Sequence, residues 1–246
     1  AEIPEELLRH GFLNYSIIVT TAEDTYTYPS GKRGDPGQWN FDGKGEYTTR
    51  IVPSGDPLYL FNAFTDKDFI VGKWDKGLQL VPGKIPGRAE YQVDLESLFE
   101  EDVENKNAEP IYDYSFRYNF QKKVAGRLEE LPAFKKLVIR ARSLSGKTEK
   151  FQVAILDKNG AAFGKLLELE SEEKEYTLLL SELKPVKTVT LPRPYPGFLP
   201  YYFDHNNEGS LNLRDVEGLQ FSMGPGMTPE EQKQGHAVGI STVHLE

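Results

Sequence analysis

The residues best suited to hold a ligand are aromatic, proline and polar side chains that lie together between 184 and 211. The members with the clearest chemistry are Tyr195, Tyr201, Tyr202, Asp204, His205 and Asn206. A planar ring offers an apolar platform to the C–H face of a sugar, and adjacent Asp, His and Asn side chains can bond its hydroxyls. Prolines in the same segment reduce the entropy cost of holding the rings in place. The segment predicts a binding loop, although rings that cap the open end of a β-sandwich would show the same composition.

A second aromatic loop lies earlier in the chain, where glycines interrupt residues 21–47. It contains Trp39, with Tyr26, Tyr28 and Phe41 near it in sequence. If both loops lie on one rim of the fold, Trp39 would join the ligand-binding residues of the first cluster. This interpretation makes the rim loops, rather than the strands, the expected binding surface.

No motif in the chain supports a catalytic assignment. The sequence lacks the Gly-x-Ser-x-Gly of a nucleophile elbow and the His-Glu-x-x-His of a zinc protease, and it contains no cysteine. Residues 160–166 resemble a phosphate-binding loop but are one residue short and have Leu166 in place of the hydroxyl residue, so they predict a hairpin. We therefore predict no catalytic residues and no cofactor, with Asp204 and His205 as the nominal acid and base if the chain is an enzyme.

One segment imitates a calcium-binding loop. From Asp204 to Asp215, oxygen-bearing side chains alternate around Gly209, as they do in loops that surround calcium. Glu208 and the short Asp215 depart from that pattern, and a glycine-closed turn would explain the segment equally well. A structural calcium ion and a simple turn remain alternatives, and the metal ligands are not identified.

Charge and hydropathy exclude several classes of protein. The chain has 246 residues and a formal net charge of −9, whereas binding to nucleic acid or to an anionic membrane requires clustered positive charge. Its apolar runs are far shorter than the ~20 residues that span a bilayer. Because the sequence begins with Ala1, Glu2 and Pro4 rather than with a basic and apolar leader, we expect any export signal to be absent or already removed.

Basic residues recur in the middle of the chain, at Lys135, Lys136, Arg140, Arg142, Lys147 and Lys150. They are compatible with a face for an anionic ligand. We favour a solvated strand surface, because the acids of residues 170–175 could balance these charges.

The elements that must position these residues are short β-strands. Between 112 and 120, Tyr and Phe alternate with polar residues, which is the period of a strand with one buried face. Further strands are predicted at 16–20, 47–52, 58–64, 69–74, 78–81, 89–95, 137–142, 150–156, 166–170, 176–180, 219–223 and 238–245. Short helices are predicted at 4–11 and, as an even alternative to a surface loop, at 95–103.

Many short strands without alternating long helices predict an all-β protein, an antiparallel β-sandwich with long rim loops. The sequence shows no repeat of fixed period and no long linker. We therefore predict a single β-sandwich domain over 16–246, preceded by an N-terminal cap or linker remnant at 1–15.

The second half of the chain, from about 131 to 246, shows a recognisable order of strands and turns at 137–142, 151–157, 176–180, 216–221 and 239–245. In this order it resembles the galactose-binding-like jelly rolls that serve as carbohydrate-binding modules of secreted bacterial polysaccharide-degrading enzymes. It implies a jelly-roll fold, a sugar ligand on the sandwich face or its loop rim, often a structural calcium ion, and attachment to a catalytic partner domain. In that family the final strand usually has an acidic residue where Ser241 or Thr242 stands here.

The leading hypothesis is non-catalytic binding of a polysaccharide or other glycan through aromatic rim residues. The expected location is extracellular or periplasmic, and the expected partners are a carbohydrate and a catalytic domain or another glycan-utilisation protein. The first alternative is a glycan-active enzyme, a hydrolase or lyase, on the same scaffold. The second is a structural or protein-interaction β-domain whose aromatic cluster packs against a neighbour.

Overall fold

The computed structural model describes residues 3, 11–52, 55–71, 79–82, 89–98, 114–191, 202–203 and 209–246, with the backbone alone for 79–82 and 202–203. Contacts divide the chain into two compact units, Ala1–Asp56 and Pro57–Glu246. The single domain over 16–246 stays a prediction.

Unit 1 consists of short antiparallel strands. Strand β1 (Gly11–Tyr15) pairs with β5 (Tyr47–Ile51), and β2 (Ile17–Thr20), β3 (Thr25–Tyr28) and β4 (Lys32–Arg33) form a meander. Gly11–Tyr15 therefore forms a strand within the segment that the sequence analysis leaves in the N-terminal cap. The predicted helix at 4–11 lies outside the described residues except for Gly11, which begins β1.

The strands of unit 2 follow in chain order. They are β6 (Leu58–Asn62), β7 (Ile70–Val71), β8 (Gln79–Pro82), β9 (Ala89–Leu95), β10 (Tyr114–Asn119), β11 (Lys136–Ser143), β12 (Glu149–Asp157), β13 (Ala162–Leu169), β14 (Lys174–Leu179), β15 (Lys184–Val186), β16 (Thr188–Val189), β17 (Tyr202–Phe203), β18 (Val216–Met223) and β19 (His236–Leu245). The α-helices are α1 (Ala63–Asp66), α2 (Gln121–Val124) and α3 (Pro229–Gln232), and single 3₁₀ turns occupy Lys67–Phe69, Leu131–Ala133, Leu180–Glu182 and Leu213–Asp215.

Two six-stranded sheets form the body of unit 2. The front sheet has the order β14-β11-β19-β9-β8, and β6 pairs with the last part of β19. The back sheet has the order β15-β13-β12-β18-β10-β7. All strand pairs are antiparallel, and the chain crosses repeatedly from one sheet to the other, as in a jelly roll. The predicted all-β antiparallel sandwich is confirmed.

The core lies between the two sheets and follows from the period of two along each strand. Alternate residues of β11, such as Ile139, and of β18, such as Phe221, are fully buried in one cluster. Aromatic rings from the two sheets pack against each other in the core. The ring centroid of Phe61 in the front sheet lies 6.1 Å from that of Phe221 in the back sheet. The centroids of Tyr91 and Phe116 are also 6.1 Å apart. The alternating residues that face the other way form the two outer faces of the sandwich.

Some predicted elements end differently in the structure. The strand predicted at 58–64 stops at Asn62, because the Asn62 side chain accepts a hydrogen bond from the Phe64 backbone at 3.0 Å and caps α1. Residues 96–98 are not helical, and the rest of the predicted helix at 95–103 lies outside the described residues. None of the described helices is long and apolar enough to cross a membrane.

Candidate functional site

The outer face of the front sheet holds a groove of about 300 Å³. Its walls come from β6, α1, β9, β11, β14 and β19. The lining residues are Tyr59, Asn62, Phe64, Thr65, Ala89, Arg140, Glu175, Ser241 and Thr242.

Strand register explains why polar side chains from three neighbouring strands meet in the groove. Arg140 of β11 lies opposite Glu175 of β14 on one side and Thr242 of β19 on the other. The register of β19 then slips by one residue, so that Ala141 lies opposite Ile240 and Ser241 is the extra residue of a bulge. The bulge allows two consecutive hydroxyl side chains, those of Ser241 and Thr242, to line the same groove.

Exposed aromatic rings form the apolar part of the groove. Tyr59 is 49% exposed, and its ring packs on His244 with 4.9 Å between centroids. Phe64 projects from α1 and is 69% exposed. A half-exposed ring held by a neighbour offers a fixed apolar surface to a ligand with little loss of side-chain entropy.

The polar groups of the groove are already oriented by hydrogen bonds. Arg140 donates to Glu175 Oε1 at 2.6 Å, and the Ser241 hydroxyl donates to Glu173 Oε1 at 2.6 Å. Glu173 belongs to the turn before β14, so this bond ties the turn to the sheet face. The groove therefore combines donors and acceptors whose positions are set before any ligand arrives.

A buried ion pair lies on the same face, farther along β11. Arg142 binds Glu90 through both its Nε and a terminal nitrogen, and Gln92 donates to Glu90 Oε1 at 2.7 Å. The bond to Glu90 raises the pKa of Arg142. Gly239 provides the space, because a Cβ at this position would lie 2.6 Å from Glu90 Oε2. This fixed pair forms a rigid floor beside the groove.

Helix α1, which carries Phe64, is anchored from below by Asp66. This carboxylate is 4% exposed and accepts hydrogen bonds from the Asn62 backbone at 2.8 Å and from Lys123 Nζ. Burial and the neighbouring Asp66 raise the pKa of Tyr118. Asp66 thus links the groove wall to α2 and to the back sheet.

Other cavities in unit 2 are less suited to a polar ligand. One of about 370 Å³ is lined largely by leucine side chains between the 3₁₀ turns at 131–133 and 213–215. Another of about 310 Å³ is lined by Lys150 and Glu231, which bind each other, and by the buried pair of His236 and Glu149. Of these described cavities, only the front-sheet groove combines exposed aromatic rings with oriented polar groups.

The structure describes few of the site residues expected from the sequence. Trp39 lies on a turn in unit 1 and its side chain is 97% exposed. Tyr202 lies in the short strand β17, and its side chain is outside the described part. The residues that lie wholly outside the described ranges are Tyr195, Tyr201, Asp204, His205 and Asn206. Their role stays a prediction.

The described ends of that aromatic segment pack on the back sheet. Thr188 and Val189 are buried, and they pair with Phe203 and Tyr202 through β16 and β17. The Val189 backbone donates to Gln220 Oε1 at 3.1 Å, and Gln220 Nε2 donates to the Lys187 carbonyl at 2.9 Å. The entry to the segment therefore covers the outer face of the back sheet.

The groove residues were missed by sequence reasoning because they lie on strands rather than on aromatic loops. Tyr59 and Asn62 belong to the predicted strand 58–64 and carried no separate signal. Arg140 was noted as part of a solvated surface balanced by acids, and its bond to Glu175 agrees with that interpretation. A search for aromatic residues at outward positions of strands would have found Tyr59.

No cluster of three His, Asp or Glu side chains that could hold a metal ion exists within the described ranges. The first part of the calcium-like segment, residues 204–208, is outside them. In its described part, Asn212 donates to Asp215 Oδ2 at 2.5 Å and accepts from the Arg214 backbone, which is the geometry of a capped turn.

Comparisons with known proteins give likeness at the level of structure alone. No family model and no curated protein matches the chain. Among solved structures, the chain is similar to a family 11 carbohydrate-binding module from Clostridium thermocellum in complex with a β-1,3-1,4-mixed-linked tetrasaccharide, with 12% identity, a TM-score of 0.47, and coverage of 77% of this chain and 95% of that one. It is also similar to an exo-β-agarase, with 12% identity, a TM-score of 0.42, and coverage of 77% of this chain and 25% of that one.

Carbohydrate-binding modules, which the sequence resembles, are thus among the solved structures similar to this chain. The chain spans only about a quarter of the agarase.

Proposed function

We propose that this chain is a non-catalytic carbohydrate-binding protein whose glycan ligand lies in the groove of the front sheet. The observation that carries the proposal is the convergence of two exposed rings, Tyr59 and Phe64, with the oriented polar groups of Arg140, Glu175 and Thr242. Apolar surface with a few fixed hydrogen-bonding groups is the usual make-up of a small-ligand site.

Each part of the groove has a role in this proposal. The rings stack on the C–H faces of pyranose units and exclude water from the contact. The Arg140 guanidinium, which donates one hydrogen bond to Glu175, directs further N–H groups to sugar hydroxyl oxygens. The Glu175 carboxylate and the Thr242 hydroxyl accept hydrogen bonds from sugar hydroxyls.

The proposal also includes the aromatic residues that the sequence predicts and the partner domain that the resemblance implies. Trp39, with its exposed ring, is a second glycan contact in unit 1, and the aromatic cluster at Tyr195, Tyr201, Tyr202, Asp204, His205 and Asn206 is a third. The chain would act outside the bacterial cytoplasm and hold a catalytic partner domain close to its polysaccharide.

The test compares two phenylalanines of nearly equal exposure. Phe64 is 69% exposed and lines the groove, whereas Phe69, in the next turn, is 68% exposed and is not among the lining residues. We expect Phe64→Ala and Tyr59→Ala to weaken glycan binding at least about tenfold, or about 1.4 kcal/mol, and Phe69→Ala to leave it unchanged. Isothermal titration with a mixed-linked β-glucan, galactan and agarose oligosaccharides measures this.

Two outcomes would count against the proposal. Equal loss of binding in the Phe64 and Phe69 variants, or none in either, would show that the groove does not bind the glycan. Release of reducing ends during the titration would show an enzyme instead.

A further inference from the structure

The charges on the outer face of the front sheet are paired within the face. A terminal nitrogen of Arg140 lies 2.6 Å from Glu175 Oε1, and Arg142 binds the buried Glu90. Lys136 Nζ lies 4.0 Å from Glu246 Oε2. Each of these cations, on β11, therefore has a carboxylate partner supplied by the protein. An anionic ligand near Arg140 or Arg142 would therefore compete with a carboxylate that is already hydrogen-bonded to that cation.

Carboxylates also outnumber cations at the edge formed by the turn before β14. Residues 170–175 contain glutamates at 170, 172, 173 and 175 and a single lysine, Lys174, which binds Glu170 at 2.5 Å. Glu173 reaches the sheet face, where it accepts from Ser241, and its charge contributes to the raised pKa of Arg142. The groove edge is therefore negative rather than neutral.

We infer that the groove selects uncharged glycans and rejects glycans that carry carboxylate or sulfate groups, an inference that rests on the proposed function. A ligand carboxylate near Arg140 must displace Glu175 or lie beside it, and Glu173 lies close by on the same edge. Two like charges a few ångströms apart repel strongly at a partly desolvated surface. A hydroxyl meets no such penalty, because it can accept from Arg140 and donate to Glu175 at once.

The experiment uses the complete chain and matched pairs of polymers. The probes are mixed-linked β-glucan, galactan and agarose oligosaccharides, and each of these after oxidation of its primary hydroxyls to carboxylates. We expect the oxidised form of any polymer that binds to bind at least about tenfold more weakly than its parent at low salt. High salt should reduce this difference in affinity between the oxidised and the parent polymer, because screening weakens repulsion between exposed charges.

A pair of glutamate variants locates the selectivity. Glu175→Gln removes the partner of Arg140, so the preference for the uncharged form should fall at least about fivefold, whatever happens to the absolute affinity. Glu182→Gln removes another surface ion pair, that with Lys165 at 2.7 Å, which does not line the groove. This control should keep the full preference.

The failures of the two proposals differ. Binding that depends on Phe64 but is equal for uncharged and oxidised polymers overturns the charge selectivity alone. An unchanged preference in Glu175→Gln also overturns it. If no polymer binds, or if binding ignores both Phe64 and Tyr59, the proposed function fails and the selectivity fails with it.

Discussion

The outer faces of the front and back sheets differ in side-chain size and in what lies over them. On the back sheet, the outward residues Ala154, Leu156 and Ala162 are small or apolar and form a separate buried cluster. The segment that begins with Thr188 and Val189 covers this face. On the front sheet, the corresponding positions carry Arg, Glu, Thr and Tyr, and a groove remains open above them.

A second segment covers the other end of the back face. Lys150, at an outward position of β12, donates to the Gly226 carbonyl at 2.9 Å and binds Glu231 of α3 at 3.0 Å. Gly226 also lies against Leu166 of β13. Two faces built on the same alternation thus differ: packed segments cover the back face, whereas a groove stays open on the front face.

The largest expected effect comes from a charge placed on the covered face. Ala154 is fully buried, so Ala154→Asp would place an unpaired carboxylate among apolar side chains and lower the free energy of unfolding by about 3–5 kcal/mol. Thr177→Asp, at an exposed position of β14 on the open face, should cost less than about 1 kcal/mol. Chemical denaturation measures both.

The milder Ala154→Ser keeps this comparison measurable if the aspartate variant does not fold. It should lower the free energy of unfolding by about 1–2 kcal/mol, because the new hydroxyl would be buried without a hydrogen-bond partner. Equal costs for Ala154→Asp and Thr177→Asp would show that the back face is not closed.

The difference between the two outer faces separates what the sequence pattern predicts from what it does not. Alternation predicted the sandwich well, and strand β9 was predicted with its bounds, because one buried face imposes a period of two. The alternation does not predict which outer face is covered, since that depends on where residues 184–191 pack. Alternation also does not predict the bulge at Ser241, because the bulge arises from the register between β11 and β19. The groove follows from these non-local pairings.

A smaller effect is expected at Asp66, which supports the open face from below. Asp66→Asn leaves Lys123 without its carboxylate and weakens the anchor of α1, so we expect a loss of about 2–3 kcal/mol in stability. Because Phe64 lies on α1, affinity for an uncharged polysaccharide should fall about threefold or more. Asp68→Asn, at an exposed position in the next turn, is the control and should change neither quantity. A stability loss with full affinity would show that α1 does not need Asp66 to position Phe64.

Two glycines sharpen the comparison at a finer scale. A Cβ on Gly164 of the back sheet would lie 2.6 Å from the Val153 carbonyl oxygen and 2.7 Å from Ala154 Cβ, and neither atom can move freely. A Cβ on Gly239 of the front sheet would instead meet the end of the Glu90 side chain, whose carboxylate can be displaced only by straining its bonds to Arg142. We expect Gly164→Ala to lower the free energy of unfolding by about 2 kcal/mol and Gly239→Ala to lower it by about 1 kcal/mol. The reverse order in thermal unfolding would mean that the Glu90–Arg142 pair is the more rigid of the two surroundings.

The smallest expected effect concerns the attachment of α3 to the back face and its dependence on pH. The Thr228 backbone N–H, together with Lys150, lowers the pKa of Glu231. A carboxylate whose pKa is lower in the folded state stabilises the fold above its ordinary pKa, and the contribution disappears as the pH falls through the folded value. Glu231→Gln should therefore lower the melting temperature slightly at neutral pH, and the difference in melting temperature from the wild type should disappear on acidification below about pH 4.

Glu182→Gln, which removes a surface pair away from α3, is the control and should leave the melting temperature nearly unchanged at neutral pH. A gap for Glu231→Gln that widens on acidification would contradict this sign and would show that the bonds to the Glu231 carboxylate do not cause the effect.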